Sequence, residues 1–163
     1  MPVVLVEGIT DRIALEAVAA KLGLDLALEG IEIVPIGGAQ AIRRAAAQYE
    51  GERVVGLCDA GEEGWFRRAL GDAAYVCTAD LEDELIRALG PAGVEEVVAA
   101  QGELATFRNF QNQPAWRGRP VEAQLRRWLQ NGGRYLRYPP LLVDMLEPEE
   151  IPQPLAGVLA AAG

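Results

Sequence analysis

Val3-Val4-Leu5-Val6 is an apolar run of strand length that ends in Glu7-Gly8, with Asp11 four residues after Glu7. Val54-Val55-Gly56-Leu57-Cys58 is a second such run, and it ends in Asp59. Parallel strands of an open α/β sheet bring their carboxyl ends to one edge, so residues following two of them can share a crevice. Carboxylates gathered in a crevice repel one another unless a cation sits among them, which makes a divalent metal site the chemistry to expect. Glu62 and Glu63 follow Asp59 closely enough to join it. Asp80-Leu81-Glu82-Asp83-Glu84 forms a third acidic cluster, from which Glu82 is the expected ligand. Each acid also has a structural use. In the first turn of a helix it gains under about 1 kcal/mol from the helix dipole, and Asp80 with Asp83 has the pattern of an N-cap.

These acids need a frame of alternating strands and helices, and residues 1–90 have one. Strands are expected at 3–6, 31–36, 53–58 and 74–78, with helices at 10–22, 39–49, just after Gly64 and from Asp80 onward. That is a Rossmann-like parallel four-stranded sheet flanked by helices, with right-handed crossovers throughout. Pro35 places the second strand at an edge, because proline cannot donate to a ladder. Gly23 is the expected C′ residue of the first helix, and Gly37-Gly38 a tight turn. From Pro91 the strand signals stop, leaving a helical C-terminal extension, 91–163. Helical patterns run over 94–100, 103–110, 121–129 and 141–146, broken by Gly132-Gly133 and by Pro139-Pro140, and a short segment, 155–161, closes the chain.

The 163 residues carry a net charge of −9, unevenly spread. Residues 1–103 hold 8 Lys+Arg against 19 Asp+Glu, residues 104–138 hold 7 Arg against Glu122 alone, and the remainder holds four acids. An acidic body thus carries a basic arm, in which Arg108, Arg117, Arg119, Arg126, Arg127, Arg134 and Arg137 alternate with aromatic residues. Such an arm can grip a phosphate backbone, or it can pack on the body through ion pairs. There is no histidine. Proton transfer must therefore use carboxylates, Lys, Tyr or metal-bound water. Cys58 and Cys77 are too few for a zinc site and are expected to be buried thiols. No apolar stretch approaches a membrane span and no secretory pattern precedes the first strand, so a cytoplasmic protein without membrane contact is expected. No P-loop sequence is present. A receiver-like signalling domain would need a lysine on a further strand, and the only one is Lys21.

The segments Val3-Val4-Leu5-Val6-Glu7-Gly8 with Asp11, Leu57-Cys58-Asp59-Ala60, and Asp80-Leu81-Glu82-Asp83-Glu84-Leu85 resemble motifs of the Toprim domain in its OLD-family (overcoming lysogenization defect) nuclease form. Gly132-Gly133-Arg134-Tyr135-Leu136-Arg137-Tyr138 and Ile151-Pro152-Gln153-Pro154-Leu155 are similar to that family's C-terminal stretches. The resemblance implies metal-dependent cleavage of phosphodiester bonds in nucleic acid, DNA ahead of RNA, with Mg²⁺ or Mn²⁺. By it, Glu7, Asp11, Asp59, Glu82 and, near Asp59, Glu62 hold the ions. Glu7, Asp59 and Arg134 then carry the chemistry, while Arg117, Arg119, Arg134 and Arg137 hold the nucleic acid. It leaves room for an ATPase on a separate chain and for a homodimer. Two positions depart from the family pattern: Gly61 stands where a second aspartate is usual, and Arg134 aligns with a lysine. A second reading therefore stands beside the first, the same fold with an incomplete metal site serving as a module that binds nucleic acid or protein.

Overall fold

The computed structural model describes residues 1–163. Its centre is a four-stranded, all-parallel sheet of order β2-β1-β3-β4, built from β1 (Val3–Val6), β2 (Glu32–Pro35), β3 (Val54–Cys58) and β4 (Ala74–Val76). Val3 pairs with Glu32 on one side and Val54 on the other, and Gly56 pairs with Ala74. All four residues of β1 are buried, as expected of a central parallel strand covered on both faces. Pro35 lies on the edge strand, where its missing N–H leaves no ladder incomplete.

The strand order decides where the helices go. The step from β1 to β2 runs one way along the sheet, while the steps from β2 to β3 and from β3 to β4 run the other. Right-handed crossovers then put the first helix on one face and the next two on the opposite face. Helix α1 (Ile9–Lys21) accordingly packs with Val4 and Val6, whereas α3 (Ile42–Ala47) and α4 (Glu63–Leu70) pack with Val3 and Leu5. Gly56 lets α4 approach β3 closely, since a Cβ there would meet Phe66 at 3.0 Å. A one-turn helix, α2 (Leu26–Glu29), precedes β2 and carries no signal in the sequence pattern.

This topology leaves the α1 face bare over β3 and β4. The last helix, α10 (Gln153–Ala162), returns to cover it, packing on β3, β4 and β1. Gly157 admits the Tyr75 ring, which would lie 3.0 Å from a Cβ at that position. Between them come α5 (Leu81–Leu89), α6 (Pro91–Ala100), α7 (Leu104–Gln111), α8 (Val121–Leu129) and α9 (Arg134–Asp144). One apolar core of 31 buried residues runs from the sheet through these helices, with Phe107, Trp128 and Tyr138 in edge-to-face contact at its far end.

Three sequence expectations need correcting. Pro139 and Pro140 do not break the chain but lie inside α9, so the helix expected at 141–146 is the second half of a longer one. An interior proline costs about 3 kcal/mol. Here Pro139 is buried and Pro140 lines a cleft with Ala17 and Ala20 of α1, so packing along the helix pair offsets the lost donors. The helix expected at 39–49 starts as a 3₁₀ turn, Ala39–Ala41, and ends at Ala47. The helix expected at 10–22 runs from Ile9 to Lys21, leaving Leu22 exposed as its C-cap. Cys58 and Cys77 are free and buried, and burial pushes the Cys58 thiol up to about 12. No helix is long and apolar enough to cross a membrane.

Candidate functional site

Each of the two founding acids is anchored through its neighbours' backbone. Where β1 ends, the Val6 carbonyl accepts from the Ile36 amide at 2.8 Å, and the Glu7 carbonyl accepts from Gly37 and Gly38 at 3.0 and 3.3 Å. Gly38 has φ 127° and ψ 146°, a conformation that side-chain-bearing residues avoid. Gly38→Ala is expected to cost about 1–3 kcal/mol and to loosen the Glu7 anchor, which urea denaturation would measure. Asp59 is pinned from both sides. The Cys58 carbonyl accepts from Cys77 at 2.9 Å, and the Ala60 amide donates to Ala79 at 2.9 Å. Asp11 turns back over the start of its own helix to accept from the Gly8 amide at 3.1 Å.

Glu7, Asp11, Asp59 and Glu82 line one cavity of about 440 Å³ with Gly8, Gly37 and Gly38. The parallel sheet thus brings to a single edge four acids spread over 76 positions of sequence. Burial, then the charges of Asp11, Asp80, Glu7 and Glu82, push the Asp59 carboxyl up to about 7. Burial also raises Glu7, with Glu62 and Asp11 adding to it, and Glu82, with Asp80 and Asp11 adding. Asp11 is raised by burial and by Asp80, against the pull of backbone hydrogen bonds. Four carboxyl groups that all resist ionisation in one pocket describe a place that lacks positive charge.

The other predicted residues divide. Glu63 is held by Arg67 at 2.7 Å, which leaves Glu62 as the free acid after Asp59. Glu62 lines a second groove, on the far side of Glu7. Asp80 is buried and committed: one oxygen caps α5 by accepting from Asp83 at 2.9 Å, and the other accepts from Arg126 at 2.8 Å and Gln130 at 3.1 Å. Glu84, also buried, accepts from the Thr78 amide and from Arg87.

Much of the basic arm is paired with the chain's own acids. Arg108 meets Glu95, Arg126 meets Asp80, and Arg134 and Arg137 both meet Glu103, at 3.4 and 2.7 Å. Arg134 also lies 4.0 Å above the Trp128 ring and is mostly buried. Arg117 donates to the Asn112 carbonyl, and Arg119 stacks 5.0 Å over Trp116. Helix α9 runs parallel to α1, with Lys21 reaching the Asp144 carbonyl at one end. Arg134 therefore stands at the same end as the acids. Glu103, which carried no motif signal, is the hub of this cluster, accepting also from the buried Tyr138 hydroxyl at 2.7 Å.

Residues 2–54, from the first strand into the third, match the model of the Overcoming lysogenization defect protein-like TOPRIM domain. Over that stretch the chain resembles an OLD-like Toprim domain. The fold itself is similar to solved structures over nearly all of its length. The C-terminal region of the Burkholderia pseudomallei OLD protein superposes with a TM-score of 0.72 at 16% identity, covering 98% of this chain and 95% of that one. The C-terminal region of the Xanthomonas campestris pv. campestris OLD protein gives 0.71 at 19% identity, covering 98% and 90%. No curated protein sequence matches the chain. Toprim domains generally bind divalent metal ions, and the donors gathered in this cavity are the hard carboxylate oxygens such ions prefer. No three of them converge closely enough to form a closed cage. An ion of the Mg²⁺ type does not require one, because one or two carboxylates hold it while waters and substrate phosphate complete its shell.

Proposed function

We propose that this chain is a nuclease that hydrolyses phosphodiester bonds of DNA with Mg²⁺ or Mn²⁺. The observation that carries the reading is the convergence of Glu7, Asp11, Asp59 and Glu82 on one cavity, each with its carboxyl raised by burial and by its neighbours' charge. Glu7, Asp11, Asp59 and Glu82 would hold the ions, with Glu62 approaching from the side of Glu7. A divalent ion supplies an activated water and charge stabilisation at the phosphate. The anchors on the Glu7 and Ala60 backbones hold Glu7 and Asp59 in the lining of the same cavity, where a phosphate could meet both. With no histidine in the chain, a cavity carboxylate, Glu7 or Asp59 in this reading, would take the proton from an attacking water. Arg134 would have to leave Glu103 to meet a phosphate.

The test is cleavage of plasmid and of single-stranded DNA in Mn²⁺, Mg²⁺ or EDTA, beside Glu7→Gln and Asp59→Asn. Cleavage that needs metal and disappears in both variants is the expected result; cleavage that survives either one overturns the proposed site. Gly61, with no carboxylate two residues after Asp59, favours a second reading, a module that binds nucleic acid or protein without cutting. Metal-dependent thermal stabilisation without cleavage would select it.

A further inference from the structure

Residues 1–103 contain eight Lys and Arg among nineteen acids. Arg12, Lys21, Arg67 and Arg87 meet carboxylates, and Arg53 donates to the Gly163 carbonyl. The remaining three, Arg43, Arg44 and Arg68, make neither a hydrogen bond nor a salt bridge, and all three are exposed. In a body so acidic, unpaired arginines are not expected to gather by chance, yet these sit on two neighbouring helices, α3 and α4. Arg43 and Arg44 line a groove of about 940 Å³ together with Trp65, Glu62 and Glu7. Trp65 is 44% exposed, a costly position for the largest side chain unless something covers it, and the Arg68 guanidinium lies 5.8 Å from its ring centre. Glu7, Gly37 and Gly38 line both this groove and the acidic cavity, so the two are continuous.

We infer that this groove is the entry track for single-stranded nucleic acid, with phosphates on Arg43 and Arg44 and an unpaired base stacked on Trp65. The strand then leads past Glu7 to the acidic crevice. Cations with no internal partner offer their full charge to a phosphate, whereas Arg126, Arg134 and Arg137 must first give up an internal carboxylate. An exposed aromatic face selects for single strands, because a base within a duplex already has its faces stacked. The inference rests on the nuclease reading only for what happens at the inner end of the groove. It assigns binding to the α3–α4 face rather than to Arg117 and Arg119.

Fluorescence anisotropy of labelled oligonucleotides, single-stranded and duplex, DNA and RNA of matching sequence, measured in Ca²⁺ and in EDTA, tests it. The Arg43→Ala/Arg44→Ala double variant is expected to bind single strands about tenfold more weakly, and its log affinity against log salt slope should shrink by about 1.4. Trp65→Ala should weaken binding about fivefold or more, and Trp65→Phe should restore most of it. All substituted residues are exposed, and an unchanged melting temperature verifies the fold. Equal binding of DNA and RNA assigns the groove to features they share; preference for one names the substrate. Binding undiminished in the double variant, loss confined to Arg117→Ala/Arg119→Ala, duplex bound more tightly than single strand, or no binding by the wild-type chain would each overturn the inference. The nuclease reading is tested separately, by cleavage in Glu7→Gln and Asp59→Asn.

Discussion

Asp59→Asn is expected to abolish metal-dependent cleavage and, in metal-free buffer at pH 8, to make the protein more stable. The two effects share one cause. Asp59 lies in a crevice with Asp11, Asp80, Glu7 and Glu82, and burial followed by their charges pushes its carboxyl up to about 7 from an ordinary value near 3.8. The folded chain therefore holds this proton more tightly than the unfolded one. Stability falls as pH rises from about 4 to about 7, and the loss is complete above that range. Asparagine keeps the shape and removes the charge. It should raise the metal-free melting temperature at pH 8, by on the order of 2–4 °C for each kcal/mol of repulsion relieved. Near pH 3, where Asp59 is protonated in both the folded and the unfolded chain, the substitution should change little. Mn²⁺ should stabilise the wild type at pH 8 and the variant much less. Cleavage should fall by about a thousandfold or more, in keeping with the loss of charge stabilisation at a reacting phosphate. Scanning calorimetry at the two pH values, with and without Mn²⁺, measures the stability side. A variant less stable than wild type at pH 8 without metal would remove the argument for mutual repulsion.

Glu103→Ala is expected to destabilise the helical region by about 2–3 kcal/mol. The Glu103 carboxylate accepts from the Tyr138 hydroxyl and from Arg137, both at 2.7 Å, and from Arg134 at 3.4 Å. Tyr138 is fully buried, so alanine leaves its hydroxyl without a partner, which is where most of the cost lies. Arg134, mostly buried above Trp128, loses its counter-charge as well. Glu103→Gln keeps an acceptor and should recover about half of the loss. Burial alone would raise the Glu103 carboxyl, but the hydrogen bonds from Tyr138 and Arg137 and the charges of Arg137 and Arg134 outweigh it and hold it below its ordinary value. A lowered carboxyl stabilises the fold above the unfolded value near 4.5 and ceases to do so as pH falls through the folded one. The gap between wild type and Glu103→Gln should therefore narrow in acid. Urea titrations at pH 7 and pH 4 measure it, and an equal gap at both would show that charge plays no part.

Arg134 is where sequence and structure differ most instructively. Its place in Gly132-Gly133-Arg134 resembles the family's basic position, and it stands at the acidic end of the fold. Its guanidinium nevertheless points to Glu103 and Trp128. Nothing in the spacing of Arg134 announces Glu103, which lies 31 residues away. Asp80 differs in the opposite way. Its N-cap role was legible from Asp80-x-x-Asp83, but its bond to Arg126, 46 residues on, was not.

What the sequence determined by itself is what local physics determines. Apolar runs of strand length, the glycines and prolines between them, and the acid after each run were sufficient for the parallel sheet, its edge at Pro35, and the convergence of Glu7, Asp11, Asp59 and Glu82 on one cavity. Strand order in a parallel sheet sends all carboxyl ends to one side, so that convergence needs no knowledge of contacts. The tertiary structure alone decided which charges are spent internally and which remain free. Pairing depends on distances between residues far apart in sequence, so Arg108, Arg126, Arg134 and Arg137, which meet acids, could not be sorted in advance from Arg43, Arg44 and Arg68. It also decided that Pro139 and Pro140 stay helical, because packing against α1 offsets a local penalty that the sequence pattern shows without its compensation.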